Sequence, residues 1–160
     1  MTKILFVCHG SICRSPMAAF VMHDLVAKAG LADRFRIDAA ATSREEIGNP
    51  VYPPARRELE RHGVACGPHA ARQLTRRDYD DYDRLIGMDR ANLRDMQQIC
   101  GGDPAGKLSR LLDWTDRPGD VADPWYTGDF TATWRDVAEG CQALLAALTA
   151  QPTQRKERDG

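Results

Sequence analysis

An apolar run that stops at a cysteine, turns, and restarts as a helix constrains this chain more than any other stretch. It is Lys3 to Met17, KILFVCHGSICRSPM. Ile4-Leu5-Phe6-Val7 is short, uninterrupted and without helical periodicity, the pattern of a strand buried on both faces. Cys8 follows, then His9-Gly10-Ser11-Ile12-Cys13-Arg14. Ser15 or Arg14 followed by Pro16 marks a helix start, because Pro is pre-organised for the first helical turn. The stretch therefore reads as strand, tight loop, helix.

A loop that enters a helix N-terminus turns backbone N–H groups into a common concavity, and the helix dipole favours an anion there. The same field favours the thiolate form of a cysteine at the strand end, and the thiolate is the nucleophile. Arg14 adds a planar fork that can hold two phosphate oxygens. Nucleophile, anion cradle and clamp thus lie between Cys8 and Arg14. Five residues between Cys and Arg let the loop wrap once around a tetrahedral oxyanion. The competing structural reading is a buried cysteine ending a strand beside a surface arginine.

The rest of the chain alternates strands and helices. Residues 16–29 read as the first helix, with Gly30 as its stop. Residues 35–41 read as a second strand, parallel to the first. A loop over 42–54 precedes a short charged helix from Ala55 to His62. Thr75 caps a short helix, 84–88 is a third strand, and Asp89 caps a helix from Arg90 to about Ile99. Lys107–Leu112 reads as a fourth strand and Asp113–Asp129 as a long loop. Phe130, Trp134, Val137, Cys141, Leu144, Leu145 and Leu148 recur at helical spacing and mark the last helix. The expectation is one α/β domain over residues 1–150, then a polar, disordered tail over 151–160. Ligands in such folds bind at the C-terminal ends of the strands, where Cys8 sits.

At 160 residues and a formal net charge of −1, bulk electrostatics favour neither nucleic acid nor an anionic membrane. No apolar run approaches the ~18 residues of a membrane span, and the N-terminal run lacks a signal-peptide pattern. The cysteines are Cys8, Cys13, Cys66, Cys100 and Cys141, an odd number without a C-x-x-C pair. Neither a disulfide framework nor a structural zinc site is expected, and a reducing cytoplasm is. Cys8 and Cys13 flank one small loop, so oxidation of Cys8 could be resolved reversibly by Cys13.

Cleaving a phosphate ester also needs a proton donor opposite the nucleophile. Asp113, Asp116, Asp120, Asp123 and Asp129 are the acidic residues of the long loop. Asp123 heads Asp123-Pro124-Trp125-Tyr126, whose rings can line a pocket for a flat group. A plain turn aspartate before proline is the alternative for Asp123, and a helix cap is the reading of Asp129. His69 and Asp38 are a candidate buried pair behind the loop.

Taken together these blocks resemble the low-molecular-weight protein tyrosine phosphatases, nearly end to end. Cys8-His9-Gly10-Ser11-Ile12-Cys13-Arg14-Ser15-Pro16 resembles the family's C-x-G-N-I-C-R-S-P, and Asp123-Pro124-Trp125-Tyr126 its general-acid motif. Asp38, residues 40–43 and 46–50, His69, residues 71–73, Met88-Asp89 and Asn92-Leu93 match further blocks. The resemblance implies a four-stranded parallel sheet flanked by helices, with the phosphate-binding loop after the first strand. It implies Cys8 as nucleophile, Arg14 as clamp and Asp123 as acid then base, through a phosphocysteine. Ser15 would donate to the Cys8 sulfur, with Cys13 as a second supporting residue. His9, Gly10, Ser11, Ile12, Cys13, Arg14, Glu45, Trp125 and Tyr126 would bind substrate.

The implied partners are a phosphotyrosine protein or peptide and inorganic phosphate or a similar oxyanion. No cofactor, metal, nucleic acid or membrane is implied, and a monomer with weak self-association is expected. Ser11 stands where the family usually has Asn, Ala39 where many members have Ser, and Glu45 where an aromatic usually forms a pocket wall. Ser11 and Ala39 would belong to one network with Ser15 and His69. The alternatives are an arsenate reductase, a protein arginine phosphatase or a cysteine phosphocarrier. The first needs closely spaced relay cysteines, the second carries Thr in place of Ile12, and the third needs no hydrolytic Asp123.

Overall fold

The computed structural model describes residues 1–150; the tail expected over 151–160 lies outside the described residues. Strands β1 (Thr2–Cys8), β2 (Phe35–Ala41), β3 (Arg84–Gly87) and β4 (Leu108–Arg110) form one sheet in the order β2-β1-β3-β4. All three pairings are parallel. The helices are α1 (Arg14–Lys28), α2 (Pro53–Arg61), α3 (Arg76–Asp81), α4 (Arg90–Cys100), α5 (Pro124–Thr127) and α6 (Phe130–Thr149).

The central strand β1 explains the layering. Ile4, Leu5, Phe6 and Val7 are all fully buried, as an apolar run without alternation predicts. Ile4 and Phe6 pack into one core with residues of α1, α2 and α6. Leu5 and Val7 point the other way, into a second core with Tyr79 of α3 and Met96 of α4. The chain leaves β1 for β2 on one side and reaches β3 on the other, so the crevice at the C-terminal end of β1 is a topological switch point. Cys8 ends the strand at that crevice.

Local signals set the helix ends. Asp89 caps α4, accepting from the Asn92 N–H at 2.7 Å, and left-handed Gly101 closes it. Thr75 and Asp78 form a capping box at α3. The first helix starts at Arg14, earlier than residue 16, with Cys13 at its N-cap; Pro16 stays inside the first turn, where its missing N–H leaves no bond unmade. The next helix likewise starts at Pro53 rather than Ala55.

The fourth strand is shorter than expected. Its ladder ends at Arg110, and Leu111–Trp114 winds into a 3₁₀ turn that buries Leu111 and Leu112. Leu111 lies so close to α6 that a Cβ on Gly140 would sit 2.4 Å from Leu111 Cγ. Packing an aliphatic side chain under α6 outweighs the extra ladder bonds an edge strand would gain. The segment from Asp113 to Asp129 is likewise not all loop, because Pro124–Thr127 forms the single turn α5.

Candidate active site

Residues 8–14 curl around the head of α1, and the Cys8 sulfur sits at their centre. Cys8 is 3% exposed. The Ser11 N–H donates to its sulfur at 3.3 Å and the Ser15 N–H at 3.4 Å. The Ser15 hydroxyl lies 3.2 Å from the same sulfur. Two backbone N–H donors, one from the loop and one from the first turn of α1, converge on the sulfur, and the Ser15 hydroxyl within reach can donate to it as a third when the sulfur is an anion.

Ser11 makes this curl possible. Its φ of +55° is the one positive value outside glycine among the described residues, and its side chain is fully buried. A left-handed conformation disfavours most side chains, so neighbours must hold it. Ser15 and Ser11 hydroxyls meet at 2.8 Å, and His69 Nε2 donates to the Ser11 carbonyl at 2.7 Å. Ser11, Ser15 and His69 thus form the expected network. Ala39 brings no polar side chain to it, and the nearby strand contact is the Ala40 carbonyl, 3.5 Å from Ser15 Oγ.

The expected pair of His69 with Asp38 does not form. Asp38 accepts instead from the Tyr82 hydroxyl at 2.5 Å and from Arg36 Nε at 3.1 Å. Asp38 sits on β2, and its carboxylate points to the side where α3 leads into β3, whereas His69 reaches the loop after β1.

Arg14 is the largest nearly solvent-free side chain, 2% exposed. Its Nη1 donates to Asp89 Oδ2 at 2.7 Å and to the Val121 carbonyl at 2.9 Å. Its Nη2 lies 3.4 Å from Asp123 Oδ2. Burial works against the guanidinium charge, but Cys8, the Asp89 hydrogen bond and Asp123 outweigh it, so Arg14 stays protonated.

Above the loop a cleft opens, lined by residues 8–14, by Glu45 and Glu46, and by Asp123, Trp125 and Tyr126. Every site residue read from the sequence except Ser15 lines it, and Ser15 lies beneath it against the sulfur. Asp123 also caps α5, accepting from the Trp125 N–H at 3.1 Å, so its turn role and its place in the cleft coexist. Asp129 caps α6 through the Ala132 N–H at 2.9 Å and is absent from the cleft. Glu45 pairs with His9 across the rim at 2.8 Å. Trp125 leans on Tyr52, ring centroids 5.1 Å apart.

Burial raises the Cys13 thiol to about 12, helped by the charges of Cys8 and Asp123. Cys66 packs with the α1–α6 core and Cys100 with the α3–α4 core, on opposite faces of the sheet. A relay disulfide between those two is therefore closed off.

Sequence reasoning missed Asp89 as the anchor of Arg14, Tyr52 as the support of Trp125, and Glu46 as a wall. Asp89 was legible only as a helix cap. Its second carboxylate oxygen serves a residue far away in the chain, and no local pattern reports that.

The family model for low molecular weight phosphotyrosine protein phosphatase matches residues 3–155. The chain belongs to this family. The Bacillus subtilis low molecular weight protein-tyrosine-phosphatase YfkJ is 38% identical over 150 residues, covering 92% of this chain and 96% of that protein. The human low molecular weight phosphotyrosine protein phosphatase is 36% identical over 148 residues, covering 89% and 93%. The YfkJ crystal structure superposes with a TM-score of 0.90 over 92% of this chain and 94% of that one. The protein is therefore a hydrolase of the low molecular weight protein tyrosine phosphatase type, built on the family's four-stranded parallel sheet.

Proposed function

We propose that this phosphatase hydrolyses phosphotyrosine in protein substrates, and small aryl phosphates, with Cys8 as nucleophile, Arg14 as phosphate clamp and Asp123 as general acid then base. The convergence of Ser11 N–H, Ser15 N–H and the Ser15 hydroxyl on the Cys8 sulfur carries the reading. With the sulfur as thiolate, the Ser15 hydroxyl donates to it, and the Ser11 hydroxyl donates in turn to Ser15. The thiolate attacks phosphorus while Arg14 and the loop hold the oxygens. The S–P bond forms, the aryl C–O–P link breaks at phosphorus, and the leaving oxygen takes a proton from Asp123. Asp123, now a carboxylate, removes a proton from water, which attacks the phosphocysteine and frees phosphate and thiolate. Metal chemistry has no part in this scheme.

The substrate wall consists of His9, Gly10, Ser11, Ile12 and Cys13 of the loop, together with Glu45, Trp125 and Tyr126. We read residues 1–150 as one catalytic domain, acting as a monomer. Among the described residues no helix is long and apolar enough to cross a membrane. The five free thiols support a reducing, cytoplasmic setting. They also support control by reversible oxidation of Cys8, with Cys13 as its partner.

The test is Cys8→Ser. Turnover of an aryl phosphate is expected to vanish while vanadate still binds the loop. Near-native hydrolysis by Cys8→Ser would overturn the mechanism.

A further inference from the structure

Beside the catalytic cleft lies a second groove, with about 490 Å³ of open space between its walls. Ile12, Glu46 and Trp125 line both, so the two share a wall and run into each other. Pro50, Tyr52 and Pro53 form the far side of the second groove, which is mostly apolar. It lies on the loop between β2 and α2, where prolines stiffen the backbone and the Tyr52 ring is held against Trp125 at 5.1 Å and Phe130 at 6.1 Å. The groove is thus preformed.

The surface around it is unusual. Among the described residues the large exposed hydrophobics are Met1, Ile47, Trp125 and Tyr126. Of these, Trp125 and Tyr126 on α5 line the catalytic cleft, Trp125 lines the second groove as well, and Ile47 belongs to the segment whose Glu46 and Asn49 line that groove. A cluster of exposed apolar side chains next to a functional site marks a binding surface, whereas scattered ones do not. Glu46, on the shared wall, is held by the Asn49 side-chain amide at 2.6 Å, so a carboxylate borders the groove without filling it.

We infer that this groove is a specificity subsite that takes an apolar side chain of the substrate, one or two residues from the phosphotyrosine. The inference rests on the proposed phosphatase reading of the neighbouring cleft. An extended peptide advances about 3.3–3.6 Å per residue, so a near neighbour of the phosphotyrosine is the side chain that can enter a groove sharing the cleft's wall. Proline and aromatic walls give that side chain apolar contact without offering polar partners, and the Glu46 carboxylate disfavours an acidic one.

The experiment is a kcat/KM scan of phosphotyrosine peptides carrying Leu or Ala at each of the two positions on either side of the phosphotyrosine. At one position Leu is expected to exceed Ala roughly tenfold, the low end for a contact in a hydrophobic specificity pocket. Pro50→Asp and, separately, Pro53→Asp put a charge into the groove, and the Leu to Ala ratio is expected to fall to near one in either variant. Both sites are exposed, and Asp is tolerated at the first turn of α2. A native ratio near one at all positions, with the peptides still hydrolysed, overturns the subsite and leaves the phosphatase reading standing. Failure of the native enzyme to hydrolyse any peptide or aryl phosphate overturns that reading instead. A ratio that persists in both variants overturns the assignment to this groove. A second copy of the chain seated there would appear as a dimer in sedimentation velocity, with Leu-peptide turnover per enzyme falling as enzyme concentration rises, and that too overturns it.

Discussion

Arg14 Nη1 donates to Asp89 Oδ2 at 2.7 Å, joining the phosphate loop to the helix after β3 across 75 positions of sequence. The other Asp89 oxygen accepts from the Asn92 N–H at 2.7 Å. One carboxylate therefore aims the guanidinium and caps α4 at once. A buried arginine has many rotamers to lose, and a partner that fixes its plane lowers what must be ordered when an oxyanion binds.

Asp89→Asn keeps an oxygen for the cap and removes the charge from Arg14. Hydrogen bonds to charged groups contribute about 1.5–3 kcal/mol, so kcat/KM for an aryl phosphate is expected to fall by roughly ten- to a hundredfold. Thermal stability should fall as well, because an Asn oxygen kept for the cap leaves the amide NH2 facing a nearly buried guanidinium. Unchanged kinetics would mean that the Val121 carbonyl and Asp123 suffice to hold Arg14.

Asp123 and Asp129 are separated by their leaving-group dependence. Asp123→Asn should slow hydrolysis by about 10²–10⁴-fold for poor leaving groups and far less for good ones, which depart without a proton. Asp129→Ala should leave that dependence intact and cost about 1 kcal/mol of stability, the loss of the α6 cap. A leaving-group series in which the two variants trade behaviour would make Asp129 the acid.

The redox chemistry carries a pH signature. Peroxide should convert the Cys8 thiolate to a sulfenic acid; the Cys13 thiolate then attacks that sulfur, hydroxide leaves, and a disulfide forms. In the reduced protein burial, the Cys8 charge and Asp123 raise the Cys13 thiol to about 12, and burial, the largest cause, and Asp123 still raise it once Cys8 is a sulfenic acid. Its thiolate is therefore scarcer than that of an ordinary cysteine at every pH below that value. Disulfide closure should accelerate about tenfold per pH unit between roughly pH 7 and 9, as an attacking thiol far below its pKa requires. Mass spectrometry of quenched samples reads the rate. A rate flat in pH, or equal recovery by dithiol in Cys13→Ser, rules Cys13 out.

Glu45 and His9 bridge the rim at 2.8 Å with side-chain exposures of 69% and 48%. Such a pair holds weakly, and the carboxylate still faces an approaching peptide. Phosphotyrosine peptides with basic flanks should exceed acidic-flanked ones by about two- to fivefold in kcat/KM at low salt, and Glu45→Gln should shrink the gap. Raising ionic strength should shrink it too. A preference that survives both changes would arise elsewhere on the surface.

The sequence alone determined whatever depends on neighbouring residues. The buried strand Ile4–Val7, the loop from Cys8 to Arg14, the caps at Thr75, Asp89 and Asp129, and the packed face of α6 are periodicities or short-range hydrogen bonds. Each is written within a few positions, because a helix pairs residues three and four apart and a strand alternates every second one. The cysteine, arginine and aspartate that line the cleft were legible as motifs for the same reason.

Tertiary structure decided what depends on meetings between distant segments. Asp38 chose Tyr82 over His69 because the sheet order sets β2 beside β1 and turns the Asp38 side chain toward the segment before β3. The last strand stopped at Arg110 because Leu111 found α6. Arg14 met Asp89, and Trp125 met Tyr52, only once the loops converged at the switch point. Contact energies between remote residues are comparable to local preferences but leave no mark in local spacing. The chain therefore announces its loop cysteine and arginine, while the partners that aim Arg14 and support Trp125 emerge only when the sheet has formed.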